Sequence, residues 1–177
     1  YKSTTLSIPI SRMGRVLSYE SEKNVAYQRL TCLEDLRTIG DNMRDEDIAE
    51  IKAQSGLDPI ASLFYCFFKS NPCMTMVSRH GHPMGMWGVV PESETSGRIW
   101  MLGCQSMLDD PSDKRTFLRR SKIELDKIIQ EYPVLFNVVD ARNKVHVRWL
   151  QWMGFTFIKK HSEYGPESRL FYEFVRI

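Results

Sequence analysis

Few residues in this chain have both the chemistry and the spacing of a reactive centre. His80 and His82 flank Gly81 within Arg79-His80-Gly81-His82-Pro83. A His-x-His pair can chelate a metal, but a catalytic zinc site needs three protein ligands and a structural one four. His146 and His161 stand far along the chain, so the segment reads as a turn. Cys32, Cys66, Cys73 and Cys104 show no CxxC spacing, and all sit in apolar surroundings. They read as buried free thiols of a reducing compartment. Cys104 ends an apolar run, with no base or cation beside it to lower its pKa. Glu92 and Glu94 could pair as acid and base, but they fall in a polar turn where carboxylates are solvated. Asp110-Pro111-Ser112-Asp113 is a helix start, and Lys114, Arg115, Arg119 and Arg120 follow it. Free N–H groups and a dipole at a helix start suit an anion. Without a cleft, the same residues are a solvated face.

No GxSxG elbow, GxxxxGK[ST] phosphate loop or GxGxxG dinucleotide fingerprint is present. Function must therefore be read from the elements that would position these groups.

Val25–Leu30 has strand character. Leu33, Leu36, Ile39 and Met43 recur at helical spacing. After Arg44, the acids Asp45, Glu46 and Asp47 open a second helix where the dipole favours them, and Gly56 closes it. Asp58-Pro59 opens a third, through Leu63–Phe68. Cys73–Ser78, Met84–Val90 and Arg98–Cys104 read as an antiparallel meander, with Pro91–Gly97 a polar turn. The helix capped by Asp110 carries Phe117, Leu118, Leu125, Ile128 and Ile129 on one face, and Pro133 stops it. Then follow a buried strand at Val134–Val139, a short helix at Asn143–Met153 closed by Gly154, and strands at Phe155–Ile158 and Leu170–Arg176. This order predicts an α+β fold: a mixed, mostly antiparallel sheet flanked by helices, with one core.

The chain has 177 residues, 42% hydrophobic and 26% charged, which is the composition of one globular domain and excludes a wholly disordered chain. No apolar run approaches the roughly 20 residues of a membrane helix. Residues 1–24 differ from the rest. They hold Lys2, Arg12, Arg15 and Lys23 against Glu20 and Glu22, and seven Ser or Thr. This composition cannot bury enough apolar surface to fold alone, so we read an extended arm or tether at 1–24 and a domain at 25–177. Leu6, Ile8 and Ile10 alternate as in a strand, so a tether that orders on a partner and an unordered terminus both fit. Beyond the arm the charge is balanced, at 20 basic and 20 acidic residues. Nucleic acid is an unlikely partner for such a body, because phosphate binding needs a basic face.

The element order from Val25 to Ile177 resembles the GNAT fold of N-acetyltransferases. Asn143-Lys-Val-His-Val-Arg-Trp-Leu-Gln-Trp-Met-Gly154-Phe155 resembles that family's motif of Asn, a small residue, an aliphatic, Leu and Tyr ending in Gly-Phe. Asn143 stands eleven residues before Gly154. More narrowly, the stretch from Asn137 to Phe155 and the run from Asp41 to Ile51 resemble a small GNAT-like family of short-tailed bacteriophages, whose founding member is an internal virion protein.

The resemblance implies a binding site for acetyl-CoA or CoA. The backbone of Leu102, Gly103 and Cys104 would pair with the pantetheine arm, Lys114 and Arg115 would hold phosphates, and Asn143 would orient backbone or water near the thioester. Two departures from the family pattern weigh against a working site. GNAT enzymes carry an Arg/Gln-x-x-Gly-x-Gly/Ala loop whose amides approach the pyrophosphate. Here Asp109–Arg120 contains no glycine and three acids, Asp109, Asp110 and Asp113. The slot of the family's proton-donating tyrosine holds Leu150, which cannot donate, and nothing in the sequence places Tyr164 to replace it. The expectation is thus a phage protein with an eroded acetyl-CoA site and no resident cofactor. It would serve as a structural or assembly component of the virion, present in the host cytoplasm during assembly, and would meet other virion proteins through its arm. The alternatives are an active acetyl-CoA-dependent N-acetyltransferase acting on a host or phage amine, and a non-catalytic modulator of a host protein.

Overall fold

The computed structural model describes residues 25–177, and the arm read at 1–24 lies outside the described residues. The chain runs β1 (Tyr27–Leu30), α1 (Leu33–Asp41), α2 (Asp45–Ser55), α3 (Pro59–Lys69), β2 (Cys73–Val77), β3 (Pro83–Pro91) and β4 (Ser96–Gly103). A 3₁₀ turn at Gln105–Leu108 leads into α4 (Pro111–Glu131), β5 (Val134–Asp140), α5 (Lys144–Trp152), β6 (Thr156–Tyr164) and β7 (Arg169–Arg176). Among the described residues, seven strands form one sheet in the order β1-β2-β3-β4-β5-β7-β6. Every pairing is antiparallel except β4 with β5.

The local signals act as the sequence predicts. Asp58 accepts from the amides of Ile60 and Ala61, and Asp110 from those of Ser112 and Asp113, with a proline at each helix start. Gly56 ends α2 with φ +71°, a left-handed conformation that suits glycine. The differences lie at element ends. The supposed polar turn at 91–97 shrinks because β3 runs to Pro91 and β4 starts at Ser96. The last hairpin also lengthens, with β6 reaching Tyr164. Its residues Lys159, Lys160, Ser162 and Glu163 are exposed, so polarity hid a strand held by its ladder to β7.

Alternation along the strands sorts the core onto two faces. Met86, Leu102 and Trp100 pack with Leu36, Ile39, Ile51 and Leu63 of the first three helices. Val89 and Ile99 point the other way, onto Leu125, Ile128 and Leu150 of α4 and α5. The thiols divide as well. Cys73 and Cys104 are buried, whereas Cys32 and Cys66 are only partly so, and all four are free. Of the tryptophans, Trp152 is the exposed one on α5, while Trp149 stacks on Phe117 with ring centroids 5.8 Å apart.

Candidate functional site

The parallel pairing of β4 with β5 covers only Ser96↔Val134, Gly97↔Leu135 and Arg98↔Phe136. Beyond Arg98 the two strands splay, though β4 continues to Gly103 and β5 to Asp140. Asn137 reaches across the start of the gap and donates Nδ2–H to the carbonyl of Ile99 at 2.8 Å. A cavity of about 270 Å³ occupies the splay, with Trp87, Trp100, Phe117, Trp149 and Leu150 among its walls. This apolar lining is interrupted by a few polar groups, the usual character of a small-molecule pocket.

Those polar groups gather at one corner, between α2 and α5. Asp47 is buried at 2% exposure and accepts Nε–H and Nη2–H from the buried Arg44. It also accepts the amide of Gly103 at 2.8 Å. Asn143 caps α5 through Oδ1 and donates Nδ2–H to Glu50 at 2.9 Å. Burial pushes the Glu50 carboxyl up to about 8, with the Asn143 bond opposing the rise and the charge of Asp47 adding to it. Glu50 is therefore mostly protonated at neutral pH. Burial pushes His146 down to about 4, so its ring is neutral. His146 Nδ1 and Trp149 Nε1 are buried with no hydrogen-bond partner among the described residues, and both residues line the cavity.

The start of α4 is chemically different. Asp110 Oδ1 takes the amides of Ser112 and Asp113 at 2.8 and 3.0 Å. Its other oxygen accepts Nη2–H of Arg79 at 2.6 Å. The backbone amide of Arg79 donates to Asp113, itself buried at 4% exposure. The β2–β3 hairpin is thereby fastened across the helix mouth. Capping bonds and the nearby Arg79 and His80 hold the Asp110 carboxyl below its usual range.

Of the residues expected from the sequence, Gly103 and Asn143 are brought together at Asp47. Both backbone groups of Gly103 are engaged within the chain, the carbonyl by the amide of Arg44 at 2.9 Å. Leu102 faces Met86 in the β3–β4 ladder, and the amide of Cys104 donates to Met84. Burial pushes the Cys104 thiol up to about 11. Lys114 and Arg115 are exposed on the first turns of α4. Tyr164 packs on His161 and Phe171 at the end of β6 and is not among the cavity-lining residues. Glu50 and His146 line the cavity and Arg79 closes the start of α4, and sequence reasoning gives none of the three a role there. Their partners are 31 or more residues away in the chain for Arg79–Asp110 and 93 for Asn143–Glu50.

A family model described as Bacteriophage T7, probable scaffold protein Gp13, matches residues 74–164, just over half the chain. The probable scaffold protein gp13 of Escherichia phage T7 is 30% identical over 126 residues, covering 70% of this chain and 78% of that protein. Among solved structures, a Vibrio cholerae spermidine N-acetyltransferase in complex with CoA and spermine has a TM-score of 0.63 at 13% identity, over 85% of this chain and 94% of that one. A GNAT-family acetyltransferase from Bacillus anthracis has a TM-score of 0.65 at 11% identity, over 86% and 94%. At such identities the likeness is one of fold alone. The fold resemblance carried by Asn143–Phe155, and the phage resemblance beside it, are both borne out. The splayed sheet is that of the GNAT fold, and the chain belongs to the phage family of the T7 probable scaffold protein gp13.

Proposed function

We propose that this protein is a virion-associated structural or assembly component that keeps the GNAT scaffold without its acetyl-CoA chemistry. The observation that carries this reading is the occupied start of α4. A diphosphate docking there needs free backbone amides and a positive field. Instead the amides of Ser112 and Asp113 bind the carboxylate of Asp110, and Arg79 is spent on the same carboxylate. Asp109 and Asp113 add negative charge, and the exposed Lys114 and Arg115 only partly offset it. These residues do not fit a pyrophosphate. In this reading Gly103 and Asn143 serve the packing of α2 against β4 and α5. The phage scaffold relative supports placing the protein among virion proteins, in the host cytoplasm during assembly and then in the particle. The basic, Ser/Thr-rich segment 1–24 would contact a neighbouring subunit there.

Two measurements test it. Calorimetry with CoA and with acetyl-CoA should give no saturable heat. Purified particles should contain the protein, and particles free of it would overturn the assembly role.

The splay cavity favours a second reading, an N-acetyltransferase that holds its cofactor by the pantetheine arm alone. Glu50 and His146 would then be the groups available to move a proton. Under that reading saturating acetyl-CoA raises stability, by about 2.7 kcal/mol at a hundred times the dissociation constant. Absence of any melting shift would exclude it.

A further inference from the structure

The charges beyond residue 24 balance in number but not in place, so a neutral total does not bar a basic face. No acid occurs from Lys114 to Ile123 or from Ala141 to Ser162, the stretches that supply the first half of α4 and all of α5. Each residue of a helix turns the chain by about 100°, so Arg115, Arg119 and Lys122 fall within about 60° of one another round α4. They stand on the side away from the buried Phe117 and Leu125. On α5, Lys144 and Arg148 are one turn apart, on the side away from the buried Leu150. All five residues are exposed.

The two rows form one surface. Trp149 of α5 stacks on Phe117 of α4, and nearer the solvent Lys122 Nζ sits 4.0 Å from the ring centroid of Trp152. Arg148 is steadied by donating Nε–H to the carbonyl of Lys144 at 3.3 Å. Among the described residues, no carboxylate lies within salt-bridge distance of any of the five cations. Asp126, the next acid on the outer side of α4, is paired with Arg176 at 3.6 Å. The exposed acids Glu34, Asp41, Asp45 and Glu46 lie on α1 and the start of α2, across the sheet.

A cationic face clear of carboxylates suits a partner of one sign. Protein surfaces intersperse both signs, whereas a nucleic-acid backbone is negative throughout. The two rows also match a duplex. Helices packed side by side have axes about 8–10 Å apart, and a duplex presents its two phosphate strands across grooves about 6 and 12 Å wide. We infer that the outer face of α4 and α5 binds the phosphate backbone of duplex DNA without reading its sequence. Arg115, Arg119 and Lys122 meet one strand, and Lys144 and Arg148 the other. Asp109 and Asp110, at the mouth of α4, lie more than a turn before Arg115 and outside this face. The inference is independent of whether coenzyme A binds.

The test is fluorescence anisotropy of a labelled mixed-sequence DNA duplex with the full chain, across a salt series. Binding is expected at low salt, weakening steeply as salt rises. Changing Arg115, Arg119 and Lys122 together to Gln should make the slope of log K against log salt shallower by about 2.7. The same variant should bind tenfold or more weakly at the lowest salt, with an unchanged melting curve. Changing the exposed Arg37, Lys52 and Lys69 to Gln removes equal charge elsewhere and should leave binding near wild type. No binding at the lowest salt overturns the inference. So does a face variant that binds like wild type, which would assign the contact to the basic segment 1–24, or a control variant that loses as much. Single-stranded DNA bound as tightly as the duplex overturns the two-row contact. Polyglutamate that displaces the duplex at equal charge concentration would give the face to an acidic protein instead.

Discussion

Asn143 donates a 2.9 Å hydrogen bond from Nδ2 to Oε2 of Glu50, a residue 93 positions earlier in the chain. The bond ties the cap of α5 to the inner face of α2 at one corner of the splay cavity. It also fixes how that corner responds to pH. Asp47 is charge-compensated by Arg44, but among the described residues the side chain that hydrogen-bonds Glu50 is the neutral Asn143, so burial dominates its titration.

The fold should therefore weaken as the solution becomes alkaline. Glu50 titrates near 4.5 when unfolded and near 8 when folded. A carboxyl raised in this way contributes fully below 4.5, and its contribution is lost as pH rises through 8. His146, lowered from 6.5 to about 4, works oppositely, contributing above 6.5 and losing that contribution as pH falls through 4. The melting temperature should thus peak in mildly acidic solution. Glu50→Gln keeps an acceptor for Asn143 and has no proton to lose. It should flatten the alkaline limb, a gain of up to a few kcal/mol at pH 9. Thermal melts of the two proteins from pH 4 to pH 9 give the comparison. Parallel alkaline limbs would mean that Glu50 ionises freely in the fold.

Asp47 is a different case, because its partners cannot follow it. Asp47→Ala would leave the buried Arg44 guanidinium without its carboxylate and the amide of Gly103 without an acceptor. Removing one member of a buried pair costs about 3–5 kcal/mol. Asp47→Asn keeps one acceptor oxygen and should cost less. Urea midpoints should rank wild type, Asn, then Ala. Equal midpoints for Asn and Ala would show that the charge, not the Gly103 bond, carries the whole effect.

Much of this architecture is written locally in the chain. Caps such as Asp58 and Asp110, each followed by proline, act within three residues, so helix starts can be read directly. Periodic apolar residues reveal the buried faces of α1 and α4 for the same reason. The sequence pattern ends β6 at Ile158, because the exposed Lys159, Lys160 and Glu163 carry no burial pattern and only pairing with β7 makes them a strand. The site is harder still. Asn143 and Gly103 are legible only through family likeness, whereas Glu50 looks like any acid on a helix until Asn143 and Asp140 close over it. Arg79 reads as a turn residue until the hairpin meets α4. Such roles come from tertiary meetings, and neither propensity nor spacing encodes them.

Gly154 offers a test of the Gly-Phe element. Its φ is +87°, and a Cβ there would fall 2.2 Å from Nη1 of Arg176, which donates to the carbonyl of Met153. Gly81 has φ +85° with open space around it. Alanine at either position incurs left-handed backbone strain of about 1–2 kcal/mol. Only at Gly154 must an arginine also give up its place. Gly154→Ala should therefore destabilise more than Gly81→Ala in paired thermal melts, and the reverse order would rule out the Arg176 clash as a cost.

The Arg79–Asp110 contact separates capping from ligand exclusion. Asp110→Ala removes the acceptor for two amides and should lower the melting temperature measurably. Asp110→Ser restores an acceptor without the charge and should stay close to wild type, because a solvent-screened ion pair such as this contributes little. Ligand response should follow another order. With both Asp109 and Asp110 changed to glycine, the amides of Ser112 and Asp113 become available and Arg79 loses its carboxylate. A diphosphate would then meet donors and cations in place of acids, so CoA should raise the melting temperature of the double variant and leave the wild type unmoved. Reversing Lys114 and Arg115 to glutamate in that background should abolish the gain. A wild type already stabilised by CoA would mean that Asp110 yields to the ligand, and the closed mouth of α4 would then be no barrier.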